Sequence, residues 1–278
     1  MIGIMGTRTV IKTGSFNSKF IPSLHVLVED DLAKTVVDCL CEPEPYFSRK
    51  YIMSGAWSNQ ASCLYGFYTY GMEMEAHKIP SFGIVAIIDG DITEKAIKKR
   101  VSDVIKGDHK NSNQREIIEK IANSTTSFNL EHKHESINAL PEYNHKKWFE
   151  EITEDQILEV NASMEHGFVS EKPYITSLLE LIEFSKYIGD EHPLVKNDKG
   201  KPDYHQYYDI ITSDFRASNT DHKMNNIKWY ILSCIKHYNN GKWQFYTNAV
   251  LEKIRSINEV HRQKFRESDV DLVSTPVK

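Results

Sequence analysis

What this sequence has little of narrows it quickly. No apolar run approaches the roughly 20 residues needed to cross a bilayer, so no membrane association is expected. Only four cysteines, Cys39, Cys41, Cys63 and Cys234, are spread over 278 residues, and none forms a C-x-x-C pair. A disulfide-stapled scaffold is therefore excluded, and the four read as small reduced core residues. The chain contains no G-x-x-x-x-G-K-[ST] loop and no G-x-S-x-G elbow, which removes the P-loop nucleotide site and the serine-hydrolase triad. Positive charge is not in surplus either. Lys and Arg number 34 against 39 Asp and Glu, for a net charge of −5, whereas indiscriminate coating of nucleic acid needs an excess of cations to displace counterions. A local basic groove stays compatible with that balance. The opening M-I-G-I-M-G-T-R-T-V-I-K-T-G-S-F breaks its apolar residues with Gly, Thr, Arg and Lys, unlike a secretory signal. A cytoplasmic location is expected.

What is present is ordinary for a globular chain. Hydrophobic residues at 40% and charged residues at 26% suffice to bury one large core or two small ones. From Leu24 a β-branched run, L-H-V-L-V, turns acidic at E-D-D and passes into the amphipathic D-L-A-K-T-V-V-D-C-L, a strand followed by a helix that Pro43 and Pro45 close. Tyr51-Ile52-Met53 ends at Ser54-Gly55, and Ser58 opens a second helical stretch. The third run, F-G-I-V-A-I-I-D-G-D from Phe82 to Asp91, is apolar throughout, as a strand covered on both faces should be. Ile92, Ala96, Ile97, Val101, Val104 and Ile105 then recur at helical spacing, and a fourth strand is expected from Thr126. Strands alternating with crossover-length helices predict an α/β fold with a parallel sheet, whose ligands gather beyond the carboxyl ends of the strands. After about Pro141 the pattern becomes helical, over Tyr174 to Tyr187, Met224 to His237 and Lys242 to Lys264. The expected divisions are an N-terminal extension (1–22), an α/β catalytic domain (23–150), a helical region (151–265) and a frayed tail (266–278).

Acidic residues mark the ends of the first and third strands. Mg²⁺ demands hard oxygen ligands on rigid backbone, and Glu29, Asp89 and Asp91 supply them. D-G-D offers two carboxylates whose intervening glycine permits close backbone approach. Crowded carboxylates repel unless a cation neutralises them. Helix capping competes for some of these: Asp91 precedes Glu94 by three residues, so cap and ligand weigh evenly for it, and Asp30 or Asp31 suits the cap of the first helix. Glu29 and Asp89 end apolar strands, where an acid gains nothing from the sheet.

V-L-V-E-D-D-L-A-K at 26–34, the second strand with G-A-W-S-N, and I-V-A-I-I-D-G-D at 84–91 resemble the TOPRIM fold, in the variety found in overcoming-lysogenization-defect nucleases. The resemblance covers about residues 23–150 and implies a Mg²⁺-dependent nuclease, with Mn²⁺ able to substitute. Glu29 matches the motif's glutamate, which binds metal or takes a proton from the attacking water, and Asp89 and Asp91 match its D-x-D. Lys133 is the candidate for the family's later lysine, and Glu131 beside it for an extra metal ligand; Asp31 is another. Members of the family usually carry an ATP-binding cassette ATPase, which this chain lacks. The resemblance therefore implies a stand-alone toxic effector of an antiphage defence system, with an ABC-type ATPase on a separate chain or self-association as restraint.

Two other classes fit part of the pattern. V-L-V-E-D-D also opens response-regulator receiver domains, with Asp89 as phosphoacceptor; the sixty-residue spacing, the doubled D-G-D and the absence of later Ser/Thr and Lys-Pro strand ends count against it. A catalytically inactive scaffold docking on an ATPase is the other. Lys95, Lys98, Lys99 and Arg100, with Lys106 and Lys110 near them, could steer phosphates of DNA or RNA toward the acids; a solvated helix face accounts for them equally well. His132 and His134 alternate but lack further zinc ligands at the right spacing. Trp148, Trp229, Trp243, Tyr204, Tyr207 and Tyr208 read as packing rather than base-stacking residues.

Overall fold

The computed structural model describes residues 24–42, 49–77, 83–90, 99, 103, 112–131, 140–159, 178–190, 192–196, 200, 202–213 and 220–273. Its centre is a four-stranded parallel sheet of order β2-β1-β3-β4. β1 (Leu24–Val28) leads into α1 (Asp31–Cys41), β2 (Arg49–Met53) into α2 (Trp57–Ala76), and β3 (Ile84–Ile88) is followed by α3 (Ser112–Asn123) and β4 (Thr125–Ser127). The expected parallel α/β sheet is what forms. Of the helical stretch expected after Asp91, only Lys99 and Asp103 are described, both helical and exposed; Asp91, Lys95, Lys98 and Arg100 lie outside the described residues.

The apolar runs explain the layering. Side chains alternate across a strand, and two separate cores use the alternation. Leu24, Val26 and Val28 with Val85 and Ile87 face one cluster, while Leu27 with Ile84, Ala86 and Ile88 faces the other. The second cluster is closed by α2 and α3 through Trp57, Ala61, Leu64, Ile117 and Ile121. The first is closed by α1 and by helices from far along the chain: α4 (Pro141–Glu150), α6 (Leu178–Tyr187), α7 (Tyr207–Ser213), α8 (Thr220–Tyr238) and α9 (Asn240–Val273), with the short α5 (Glu154–Glu159) beside them. A right-handed crossover leftward from β1 to β2 and one rightward from β2 to β3 put α1 and α2 on opposite faces. The helical region thus shares one continuous core with β1 and β3.

The structure departs from the sequence reading at several places. The fourth strand expected from Thr126 forms but is short: the ladder stops at Ser127, and Asn129 turns away, its N–H and side chain donating to the Tyr246 and Phe245 carbonyls of α9, at 3.0 and 3.1 Å. Of the cysteines, Cys39, Cys41 and Cys234 are buried as expected, whereas Cys63 is exposed on α2. Trp148 and Trp243 are core, but Trp229 is 43% exposed. The last helix also runs past Lys264 to Val273.

α9 works as a strut along the β4 side of the sheet. Its first turns meet the carboxyl end of β4 through Asn129. Further on, the Ala249 carbonyl accepts from Thr126 Oγ1 and Lys253 donates to the Asn123 carbonyl. His261, buried, then packs where the sheet begins, against Gly83. No helix among the described residues is long and apolar enough to cross a membrane.

Gly90 is fixed by contact rather than by backbone conformation. A Cβ there would stand 2.5 Å from the Phe128 carbonyl oxygen and 2.8 Å from Leu130 Cγ. Since the clash includes backbone, Gly90→Ala should cost about 1–3 kcal/mol, the usual range for overpacking. Gly66, in the middle of α2, has open space around it, so Gly66→Ala should gain roughly 0.5–1 kcal/mol. Urea unfolding of the two variants checks the pair: equal midpoints would mean that the β3 end is not packed as described.

Candidate functional site

In a parallel sheet of order 2-1-3-4 the chain leaves β1 toward one edge and returns at β3 toward the other, which opens a crevice at their carboxyl ends. β1 and β3 are hydrogen-bonded neighbours with Leu27 level with Ala86. Glu29 and Asp89 are the residues that directly follow these two strands. The turn after β2 braces the same rim: Ser54 N–H and Oγ donate to the Val28 carbonyl at 3.1 and 3.2 Å, and Gly55 N–H donates to the Glu29 carbonyl at 3.0 Å. Gly55 has φ +65°, a left-handed conformation that a side chain would strain. Glu29 and Asp89 are both half-buried.

The charges of three carboxylates from distant parts of the chain act on one buried phenol. Tyr246, on α9, is 1% exposed and stacks on Phe128 with ring centroids 4.7 Å apart. Burial raises its hydroxyl well above the ordinary value, and the negative charges of Asp89, Glu142 and Asp30 raise it further. Asp30 also caps α1, accepting from Ala33 N–H at 2.9 Å, so the sequence-expected cap and membership of the acidic group coincide in one residue.

Glu142 is the strained member. It occupies the first turn of α4, directly after Pro141, where the helix dipole favours an anion by about 0.3–1 kcal/mol, less than one pKa unit. Burial is worth several units and wins. It pushes the Glu142 carboxyl up to about 7; a backbone hydrogen bond, His205 and Lys228 pull the other way, while Asp30 adds to the rise. Lys228, mostly buried on α8, stands 3.6 Å from Asp31, and its charge acts on Glu142.

Glu131 is half-buried at the other side of the β4 exit. Burial alone would raise its carboxyl, but hydrogen bonds from Lys242 and Lys147 outweigh this and hold it at about 2. Lys147 Nζ lies at 3.1 Å from Oε2, and Lys242 and the Trp148 indole N–H, at 3.4 Å, engage Oε1. Both oxygens are thus committed to tying α4 and α9 to the β4 exit, and a cation would have to displace these donors. Lys133, His132 and His134 lie outside the described residues, as does Asp91. Lys99 is exposed. Tyr204, Tyr207 and Tyr208 are buried; Tyr208 Oη is 3.1 Å from Nδ1 of the buried His145.

Sequence reasoning missed Glu142, Lys228 and Tyr246. An acid after a proline reads as an ordinary helix start, and nothing in their spacing connects α4, α8 and α9 with the strand ends. Comparison with protein-family models, curated proteins and solved structures returns no match. The fold defines a class, a parallel α/β sheet with acidic residues following the carboxyl ends of its first and third strands.

The two shifted glutamates predict opposite pH limbs. Between the ordinary carboxyl value of 4.5 and about 7, folded Glu142 keeps a proton that the unfolded chain has released, so stability falls as pH rises through that window and levels off above it. Glu142→Gln should remove this loss; its advantage in urea unfolding should grow by up to about 1.4 kcal/mol per unit from the lower bound to the upper. Glu131, held at about 2, contributes stability above its ordinary value that is lost as pH falls toward that point. Glu131→Gln should flatten the acid limb. Parallel pH profiles of wild type and both variants would disprove these environments.

Proposed function

We propose that this chain is a TOPRIM-like, metal-dependent nuclease that hydrolyses phosphodiester bonds of DNA or RNA. The observation that supports it best is the position of Glu29 and Asp89 at the carboxyl ends of neighbouring parallel strands, with the charges of Asp30, Asp89 and Glu142 all acting on the buried Tyr246. Acids that repel one another at a rim, one of them protonated near neutrality, are what a divalent cation would relieve.

The donors fit Mg²⁺ in kind, being carboxylate oxygens on rigid strand ends. Among the described residues no three His, Cys, Asp or Glu stand close enough together to enclose an ion. Mg²⁺ does not require such a cage, since it keeps several waters and is commonly held by one or two carboxylates and the substrate's phosphates. Glu29 and Asp89 would hold it, with Asp91 as a further donor. Bound there, the ion supplies charge stabilisation to the scissile phosphate. The protein's own contribution is to fix the strand ends through the Ser54 and Gly55 bonds and to set Lys228 opposite the acids.

A nuclease of this kind needs restraint. A separate ABC-type ATPase is the proposed partner, in keeping with the absence of a P-loop, and an antiphage effector in the cytoplasm is the corresponding role. Tyr187, 73% exposed, and Trp229 offer apolar surface on the helical side for such docking or for self-association. The 2-1-3-4 strand order also suits a receiver domain, in which Asp89 would accept a phosphoryl group.

Wild type, Glu29→Ala and Asp89→Asn incubated with plasmid DNA and bulk RNA, under Mg²⁺, Mn²⁺ or chelator, separate these readings. A nuclease should cleave only with metal, and each variant should lose about 100-fold or more while its circular dichroism is unchanged. Cleavage that survives Glu29→Ala would refute the assignment. Acetyl phosphate labelling of Asp89 without cleavage would replace it with the receiver.

A further inference from the structure

We infer that Gln60 is a positioning residue of this crevice, whose side-chain oxygen accepts a hydrogen bond from a water on the divalent ion. The inference rests on the metal-dependent reading above. Gln60 belongs to the start of α2, and it is fully buried. Its Nε2 donates to the Ile87 carbonyl at 3.2 Å. A carbonyl only accepts, so the nitrogen has to be the end of the amide that faces it, and Oε1 is the end left over. That oxygen is buried and has no hydrogen-bond partner.

The Ile87 carbonyl fixes where this happens. Ala86 N–H donates to the Ser124 carbonyl at 2.8 Å, and the Ile88 carbonyl accepts from Phe128 N–H at 3.2 Å, so the backbone groups of these two residues face the β4 side. Successive residues of a strand turn their backbone groups to opposite sides, and those of Ile87 therefore face β1. The pairing of β1 with β3 runs through Leu27 and Ala86. Ile87 is one residue nearer the rim and two before Asp89. At the other side, the turn that opens α2 is bonded to the Glu29 carbonyl through Gly55 N–H. Gln60 thus reaches into the gap between β1 and β3 at their carboxyl ends, where a parallel sheet of this order receives its ligand.

Chemistry narrows what Oε1 takes. An amide oxygen accepts hydrogen bonds, so an ionised phosphate oxygen, which has no hydrogen to give, is a poor partner for it. A hydrated cation suits it. Mg²⁺ keeps several waters, and protein groups beyond the direct ligands orient what the ion holds. Trp57, three residues earlier on α2, also leaves its buried indole N–H without an acceptor. Burying such groups unpaired is unfavourable, and a water on the ion relieves this at Gln60.

The test follows Mn²⁺ binding to the full chain, by loss of the free-ion EPR signal, for wild type, Gln60→Met and Gln60→Glu, beside plasmid and RNA cleavage over a range of Mg²⁺. Gln60→Met keeps the length of the side chain and removes the acceptor. It should bind Mn²⁺ about 10- to 100-fold more weakly and need correspondingly more Mg²⁺ for half-maximal cleavage. Gln60→Glu keeps an oxygen there and should bind Mn²⁺ at least as tightly as wild type, whereas lost packing alone would impair both variants. Equal Mn²⁺ affinity in wild type and Gln60→Met overturns the role and leaves Oε1 to a buried structural water. Should Gln60→Met not fold, Gln60→Glu decides, and binding weaker than that of wild type overturns the role. Wild type that binds Mn²⁺ but cleaves neither nucleic acid refutes the nuclease reading while the affinities still judge Gln60; wild type that binds no Mn²⁺ overturns both.

Discussion

The hydrogen-bonded ladder between β1 and β3 is the constraint on which everything else in this molecule depends. Parallel neighbours in register end at the same level, so the pairing of Leu27 with Ala86 brings two acidic turns, sixty residues apart, to one rim. Carboxylates rarely gather without a cause, because each added negative charge in a partly buried place costs free energy. Here the cost is visible in Glu142, whose proton is retained toward neutrality by burial and by Asp30.

The helices after Pro141 are not an appendage to the sheet. They close one of its faces in a single apolar cluster running from Leu24 to Ile254, and they deliver Glu142, Lys228 and Tyr246 to the strand ends. α9 ties the two ends of the sheet together, from Asn129 at the rim to His261 at the base. Movement of that helix, for example on docking a partner, would be felt at Tyr246 and hence at the acids around it. Glu131, pinned by Lys147 and Lys242, couples α4 to the same helix.

Periodicity made the strands and most helices legible. The all-apolar V-A-I-I run could only be a strand covered on both sides, and the alternation of β1 and β3 residues between two cores bears this out. Where prediction overran, at Asn129, the cause is a tertiary hydrogen bond to the Tyr246 and Phe245 carbonyls that no local pattern announces. The exposure of Trp229 has a related cause: helical spacing does not say which face will meet a neighbour. Glu29 and Asp89 stand out in the sequence as candidates because an acid closing an apolar strand has no packing motive. Glu142 carried no such mark.

The sequence by itself determined that strands and helices alternate, and that carboxylates stand where the first and third strands stop, because those properties follow from local spacing and from the chemistry of single side chains. Only the tertiary structure decided which acids act on one another and which lysine acts on them. The reason is physical: proximity between α4, α8, α9 and the strand ends is set by how their apolar faces fill a shared core, a property of the packed whole that no residue spacing encodes.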